Sequence, residues 1–148
     1  MASNYNIIDS KSKIVKKIIV KDDLYKYPKK LIFTNSIAHS TVMYRRKILK
    51  FIGNYPQNFV YAQDYALYLK IITRFKIKII KNNLANLRIN HKNSETYRLR
   101  NSISIRVEEL KLALWALYNI RTNLFEKLKI FFKILIIFVK LFKSILPN

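Results

Sequence analysis

The chain has 148 residues and a formal net charge of +21 at pH 7, with 29 basic and 8 acidic side chains. Its hydrophobic fraction of 51% is enough for one domain with a buried core and too high for a disordered chain. The single glycine excludes glycine-rich phosphate loops, which need several glycines. The absence of cysteine excludes disulfides and thiolate metal sites.

The positive charge predicts attraction to polyanions such as anionic lipid, nucleic acid or phosphorylated molecules. Because the lysines are spread along the whole chain, general surface charge is favoured over one dedicated polyanion site. No nucleic-acid-reading motif is recognisable, so specific nucleic-acid binding is not expected. The first residues lack the basic and then apolar pattern of a secretory signal, so the expected compartment is the cytoplasm.

The first thirty residues predict a hairpin and a connector. Apolar runs at residues 5–8 and 13–20 suit strands, and the polar residues 9–12 between them suit a turn. Residues 22–30 are polar, and Pro28 argues against a long helix there.

The next thirty residues predict a strand, a short helix and a loop. Residues 40–44 are rich in β-formers and predict a buried strand. Residues 46–51 are basic and helical in character, and a turn at residues 53–56 ends that helix. Residues 58–61 predict a loop or a short strand.

A longer helix is predicted over residues 64–75, because Tyr65, Leu69 and Ile72 recur at spacings of four and three. Asp64 stands at its start. There the free backbone N–H groups and the helix dipole stabilise a carboxylate.

Two short strands are predicted to follow this helix. The first covers residues 76–81 and places Ile77 and Ile79 on one face. Residues 82–83 predict a turn, and residues 84–90 predict the second strand.

Residues 103–118 predict an amphipathic helix with Glu108 and Glu109 in its first half, where the dipole favours them. The predicted apolar stripe consists of Val107, Leu110, Leu114 and Leu117, widened by Ala113 and Tyr118.

The tail, residues 123–148, predicts a helix of a different kind. A narrow polar stripe runs along this helix, because its polar residues recur at helical spacing. They are Glu126, Lys129, Lys133, Lys140 and Lys143. Nearly all other positions are Phe, Leu, Ile or Val, yet the longest uncharged run is far shorter than the roughly 20 residues that span a bilayer. A wide apolar arc edged by lysines indicates a helix lying in a membrane surface. Docking on a partner or on the domain's own core is the alternative.

Four segments in the middle of the chain carry a family pattern. They are residues 35–45 (Asn-Ser-Ile-Ala-His-Ser-Thr-Val-Met-Tyr-Arg), 53–55 (Gly-Asn-Tyr), 63–69 (Gln-Asp-Tyr-Ala-Leu-Tyr-Leu) and 88–91 (Arg-Ile-Asn-His). In this order and spacing they resemble the second half of family 2 glycosyltransferases of the GT-A fold. Any one segment alone is a weak signal, and together they are specific. The resemblance covers roughly residues 5–100.

The resemblance implies transfer of a sugar, with inversion, from a nucleotide-diphosphate donor to a hydroxyl acceptor. Asp64 matches the family's catalytic base, which takes the proton of the acceptor hydroxyl. The alternative for Asp64 is a helix N-cap. The family also implies a divalent cation, Mg or Mn, on the diphosphate.

The resemblance suggests further site residues. The acceptor-binding residues are Gln63, which replaces the family's usual Glu, together with Tyr55, Tyr68 and His39. Arg45 and His91 are the candidates for the donor diphosphate, and His91 is the one candidate metal ligand. The alternatives are core packing for the tyrosines, a structural role for His39 and Arg45, and a solvated loop for His91.

The expected fold is α/β, in three parts. Residues 1–100 form part of a GT-A-like mixed sheet with packed helices, residues 101–122 a helix packed on it, and residues 123–148 a basic amphipathic membrane-surface helix. The family's nucleotide-binding βαβ units and Asp-x-Asp metal motif are missing, and the pair at residues 22–23 lies too far downstream to replace that motif.

The sequence therefore predicts the acceptor side of a glycosyltransferase, inactive alone and completed by a separate donor-half chain at the inner face of the cell membrane. The alternative is a non-catalytic remnant or subunit that acts as a basic membrane-surface protein.

Overall fold

A computed structural model describes residues 1–20, 28–88 and 103–145 of the chain. Within them lie three strands and four helices, which confirms the α/β class. The strands are β1 (Ala2–Ile8), β2 (Ile14–Ile18) and β3 (Ile79–Arg88). The helices are α1 (Leu49–Ile52), α2 (Gln63–Ile72), α3 (Ile103–Asn119) and α4 (Leu124–Ile145). The predicted GT-A topology stays a prediction. The acidic pair at residues 22–23 lies outside the described residues.

The predicted N-terminal hairpin is confirmed. Strands β1 and β2 pair antiparallel, and β1 is the central strand of the sheet. Asp9 closes the turn because its Oδ1 accepts the backbone N–H groups of Lys11 and Lys13, both at 2.9 Å. Ser12 completes the turn in the left-handed region, with φ of 65°.

Strand β3 corrects the prediction of two strands and a turn. It runs parallel to β1 without interruption through Asn82 and Asn83. The register against β1 shifts at this point, and amide side chains bridge the two strands. Asn4 donates to the Lys81 carbonyl at 2.7 Å, and Asn83 donates to the side chain of Asn6. The bond to Asn6 occupies the Asn83 amide, which would otherwise favour a local turn.

The predicted strand at residues 40–44 is wrong. The chain makes a 3-10 turn at His39–Thr41 instead, and Thr41 donates to the Ala38 carbonyl with both its backbone N–H and its hydroxyl. These local bonds replace a strand ladder. Met43 exchanges two backbone hydrogen bonds with the N-terminal residue.

The predicted short helix at residues 46–51 is confirmed as a 3-10 turn, Arg46–Ile48, that continues into α1. Gly53 ends α1 with φ of 78°, a conformation that side chains other than glycine rarely adopt.

Helix α2 lies at the centre of the core. Six of its residues are buried: Tyr65, Ala66, Leu67, Tyr68, Leu69 and Ile71. The same core includes Ile77 and Ile79 before and within β3, and three isoleucines of α4. The buried α2 therefore offers a rigid base for side chains at its first turn.

Helix α3 forms where it is predicted, and its buried face overlaps the predicted stripe only in part. The buried residues are Glu108, Leu112, Ala113 and Ala116. Of the predicted stripe, Ala113 is buried and Leu110 and Leu117 pack against the core, whereas Leu114 is 39% exposed and Tyr118 is 83% exposed. Glu108 is buried because three backbone N–H groups donate to its carboxylate. The two alanines on the same face are small, so the helix can lie close to the core.

Candidate functional site

Asp64 is the second residue of α2 and is half-buried. The N-cap of this helix is Ala62, which has no side-chain oxygen to offer, so the reading of Asp64 as an N-cap is wrong. Asp64 Oδ1 accepts the backbone N–H of its neighbour Tyr65 at 2.7 Å. Its carboxylate therefore sits in the first turn, where the helix dipole stabilises negative charge.

Glu108 fixes the residues that lead into α2, including the N-cap residue Ala62. Its carboxylate is 6% exposed and accepts three consecutive backbone N–H groups: Val60 at 2.7 Å, Tyr61 at 3.0 Å and Ala62 at 2.9 Å. These donors precede α2 directly, so a side chain of α3 fixes the loop that leads to Asp64.

The sequence analysis assigned Glu108 only to the dipole of its own helix. One signal pointed to a different role: Glu108 shares a helix face with Leu112 and Ala116, at spacings of four. An acidic residue on a face of small and apolar residues needs donors from elsewhere in the fold.

A polar aromatic cluster lies next to Asp64. Tyr68 follows Asp64 by one helical turn, on the same face of α2. Its hydroxyl is 2.9 Å from His39 Nδ1. The His39 ring meets Tyr55 edge to face, with ring centroids 6.0 Å apart, and the Tyr44 hydroxyl donates to that of Tyr55 at 3.3 Å. We call these five residues the Asp64 cluster.

The charge of Asp64 acts on both central phenols. Burial raises the pKa of Tyr55 to about 12, with further contributions from Tyr44 and from the Asp64 carboxylate. Burial, and then the Asp64 charge, also raise the pKa of Tyr68 well above its usual value. Both phenols therefore stay protonated at neutral pH and remain hydrogen-bond donors, while Asp64 is the carboxylate of the cluster.

This arrangement combines a proton acceptor with hydroxyl donors and aromatic surface. Sugars are bound in proteins by the same combination, because hydroxyl groups hydrogen-bond to polar side chains and the apolar faces of sugar rings stack on aromatic rings. The prediction grouped His39, Tyr55, Tyr68 and Asp64, and the structure brings them together. It adds Tyr44, which the prediction missed although the residue lies inside the first family segment.

Two other predicted residues lie near the cluster without joining it. Gln63 is exposed, and its Nε2 donates back to the Val60 carbonyl at 3.1 Å. Arg45 is exposed and lines a cavity of about 370 Å³ together with Tyr44 and Tyr68. This cavity adjoins the cluster and is mostly apolar at its other walls.

The described residues do not form a cation site. Among residues 1–20, 28–88 and 103–145, no three side chains of His, Cys, Asp or Glu converge on one point. Asp64 is the single carboxylate of its cluster, so these residues do not fit the Mg or Mn that the family implies. His91, the one candidate metal ligand, lies outside the described residues.

The tail lysines divide into two groups. Lys129, Lys140 and Lys143 are exposed on α4. Lys133, also predicted at the membrane surface, instead bonds inside the domain: its ammonium group donates to the Ile32 carbonyl at 2.8 Å and lies 5.7 Å from the ring centre of Tyr65. Burial lowers the pKa of Lys133, and the charge of Glu109 partly opposes that effect.

No protein-family model, curated protein or solved structure matches the chain. The resemblance to family 2 glycosyltransferases therefore rests on the four sequence segments.

Proposed function

We propose that this chain is the acceptor side of an inverting glycosyltransferase and that Asp64 is its catalytic base. One observation supports the proposal above others. Residues assigned from separate family segments meet in a single cluster, with His39 and Tyr68 in hydrogen-bond contact although they are 29 positions apart. His39 is exposed, so it can meet an acceptor while it also partners the hydroxyl of the buried Tyr68.

The proposed chemistry is a single displacement. A hydroxyl of the acceptor sugar attacks the anomeric carbon of the donor as the bond from that carbon to the diphosphate breaks. The diphosphate leaves with the bonding electrons, the carbon inverts, and Asp64 takes the hydroxyl proton. The protonated phenol of the partly exposed Tyr55 donates a hydrogen bond that orients the acceptor. Tyr68 is 1% exposed and acts indirectly, because its hydroxyl is bonded to His39.

The donor half is proposed to be a separate segment or chain. It would bind the nucleotide and supply the ligands of the divalent cation, which neutralises charge on the leaving diphosphate. Within this chain, Glu108 has a positioning role because it fixes residues 60–62 and thereby the start of α2.

The test is a transfer assay with a panel of nucleotide-diphosphate sugars. The chain alone is expected to give no turnover. Combined with a donor-half polypeptide, it is expected to transfer sugar, and Asp64→Asn is expected to lower kcat by about a hundredfold or more, the usual contribution of a general base. The nearly isosteric change leaves the cluster's packing intact.

Asp9→Asn is the matched control, because it makes the same chemical change in the hairpin turn and keeps the Oδ1 that accepts two backbone bonds. It is expected to leave activity unchanged. Full activity of the Asp64→Asn variant would refute the role given to this carboxylate.

A further inference from the structure

Helix α4 has two opposite apolar faces, and the domain covers one of them. The covered face consists of Ile130, Ile134 and Ile137, which are at most 7% exposed. The other face points away from the domain. Its residues, each 44–75% exposed, are Leu124, Phe125, Leu128, Phe131, Phe132, Leu135, Ile136, Phe138, Val139 and Phe142. We call these ten residues the outward arc.

The outward arc is continuous and wide. At about 100° per residue it spans roughly 160° of the helix circumference, centred opposite the buried isoleucines. It extends from Leu124 to Phe142, about 27 Å along α4. An apolar surface of this size on a water-soluble domain marks a place of interaction.

A hydrogen bond within the domain fixes which face points outward. Lys133 donates to the Ile32 carbonyl, which also accepts the hydroxyl of Tyr65 on α2 at 2.9 Å. Rolling α4 to hide the outward arc would break the Lys133 bond and expose the buried isoleucines. The domain therefore holds the arc toward the outside.

The borders of the arc are positively charged. Lys127 lies beside one border, Lys129 and Lys140 lie along the other, and Lys143 lies just inside that second border near the end of the helix. The sole acidic residue of α4, Glu126, is engaged at the helix start, where it accepts the backbone N–H of Asn123 at 3.1 Å. The whole chain carries +21.

We propose that α4 is an in-plane membrane helix that docks this chain on an anionic lipid bilayer. The outward arc enters the boundary between headgroups and acyl chains, the bordering lysines contact anionic headgroups, and the domain stands on the water side. In the described part of the chain, no helix is both long and apolar enough to cross a bilayer. The docking proposal is independent of the proposed glycosyl transfer.

Charge favours a bilayer over a second copy of the chain. Pairing two outward arcs would bring the lysine borders of both copies together, and like charges side by side are unfavourable. Anionic headgroups meet the same lysines with opposite charge, at about the same depth as the arc requires.

Spin labels test the geometry directly, because the chain contains no native cysteine. Leu135→Cys and Phe142→Cys place labels on the outward arc, and Val15→Cys places the control label on β2, where the side chain is 66% exposed. With vesicles of phosphatidylcholine and phosphatidylserine, the arc labels are expected to become accessible to oxygen and protected from a water-soluble nickel complex. The Val15 label is expected to stay in water.

Vesicle co-sedimentation gives the second readout. Phe132→Glu or Phe138→Glu is expected to lower the partition coefficient on anionic vesicles by about tenfold or more, since each removes one exposed aromatic anchor and adds repulsion. Val15→Glu, the same kind of change away from α4, is expected to change it far less. Circular dichroism shows whether each variant keeps its helices.

Three results would overturn the proposal. They are arc labels that remain accessible to nickel on anionic vesicles, equal binding to pure phosphatidylcholine vesicles, and a stable dimer in sedimentation equilibrium whose arc labels are already protected without lipid. The last result would assign the arc to a second copy of the chain.

Discussion

Helices α2 and α4 are both rich in apolar residues, and their surroundings are opposite. Six of the ten residues of α2 are buried, and a carboxylate from α3 holds the residues that lead into it. Helix α4 buries a narrow face and leaves ten large apolar side chains exposed. Two helices of similar apolar content can therefore differ in burial. The apolar content of a helix does not by itself show whether this domain buries its apolar side chains.

The largest expected effect separates the two faces of α4. Ile130 is fully buried and Ile136 is 55% exposed on the same helix. Ile130→Ala is expected to lower the free energy of unfolding by about 3 kcal/mol through lost packing. Ile136→Ala is expected to change it by less than about 0.5 kcal/mol. Urea unfolding followed by circular dichroism measures both, and equal losses would mean that the outward arc is covered.

The next effect concerns the start of α2. Glu108→Gln replaces a charged acceptor of three backbone bonds by one neutral oxygen and an unwanted donor, and is expected to cost about 2 kcal/mol. Glu109→Gln is the matched control on the next position, where the carboxylate pairs with Arg106 and is 37% exposed. It is expected to cost under about 1 kcal/mol, because an exposed ion pair contributes little and the charge of Glu109 also acts on Lys133. Similar losses in both variants would contradict the positioning role of Glu108.

The smallest effect tests the contact between His39 and Tyr68. Tyr68→Phe removes the hydroxyl bonded to the imidazole and is expected to cost about 1 kcal/mol. A double-mutant cycle with His39→Phe is expected to show coupling between the two residues. Additive losses would mean that the contact contributes nothing to stability.

Tyr68→Phe is also expected to change how the free energy of unfolding depends on pH. The folded state raises the pKa of Tyr68, so the unfolded chain releases this proton first as the pH rises. Stability from this group is present below pH about 10 and is lost above it. The decline in unfolding free energy between pH 9 and pH 11 is expected to be shallower in Tyr68→Phe than in the native chain. An unchanged slope would indicate that Tyr68 titrates normally.

Lys133 changes the free energy of unfolding with pH in the opposite direction to Tyr68. Its pKa is lowered by burial, so the folded state releases this proton before the unfolded chain does. Its contribution to stability therefore rises as the pH increases toward the ordinary lysine value. Lys133→Met is expected to remove that rise and to steepen the alkaline decline.

Local patterns in the sequence predicted the elements well where neighbours along the chain decide the structure. The hairpin, the helices and the turn at Gly53 follow from β-branched runs, apolar spacing and one glycine. One error came where distant partners decide. Asn82 and Asn83 read as a turn, yet β3 continues through them and stays beside β1 with a shift of register. Another error came from local bonds, because Thr41 bonds back to Ala38 and makes a 3-10 turn where a strand was predicted.

In the candidate site, too, residues with distant partners were missed. The family segments pointed to His39, Tyr55, Tyr68 and Asp64, and these residues meet. Glu108 escaped notice because its three partners lie 46 to 48 positions earlier. Lys133 looked like one more exposed lysine of the tail, because its partner, the Ile32 carbonyl, is 101 positions away.

The parallel pairing of β1 with β3 has a consequence for the order of folding during synthesis. The hairpin of β1 and β2 emerges first, but the second edge of β1 waits for residues as distant as Lys81, 77 positions after Asn4. At a translation rate of about 5–20 residues per second, that edge stays open for roughly 4–15 seconds on the ribosome. Closing such a long loop is slow by its nature. A nascent chain of this kind exposes a strand template for several seconds, so its yield in the cell is expected to depend on chaperones that shield open strand edges.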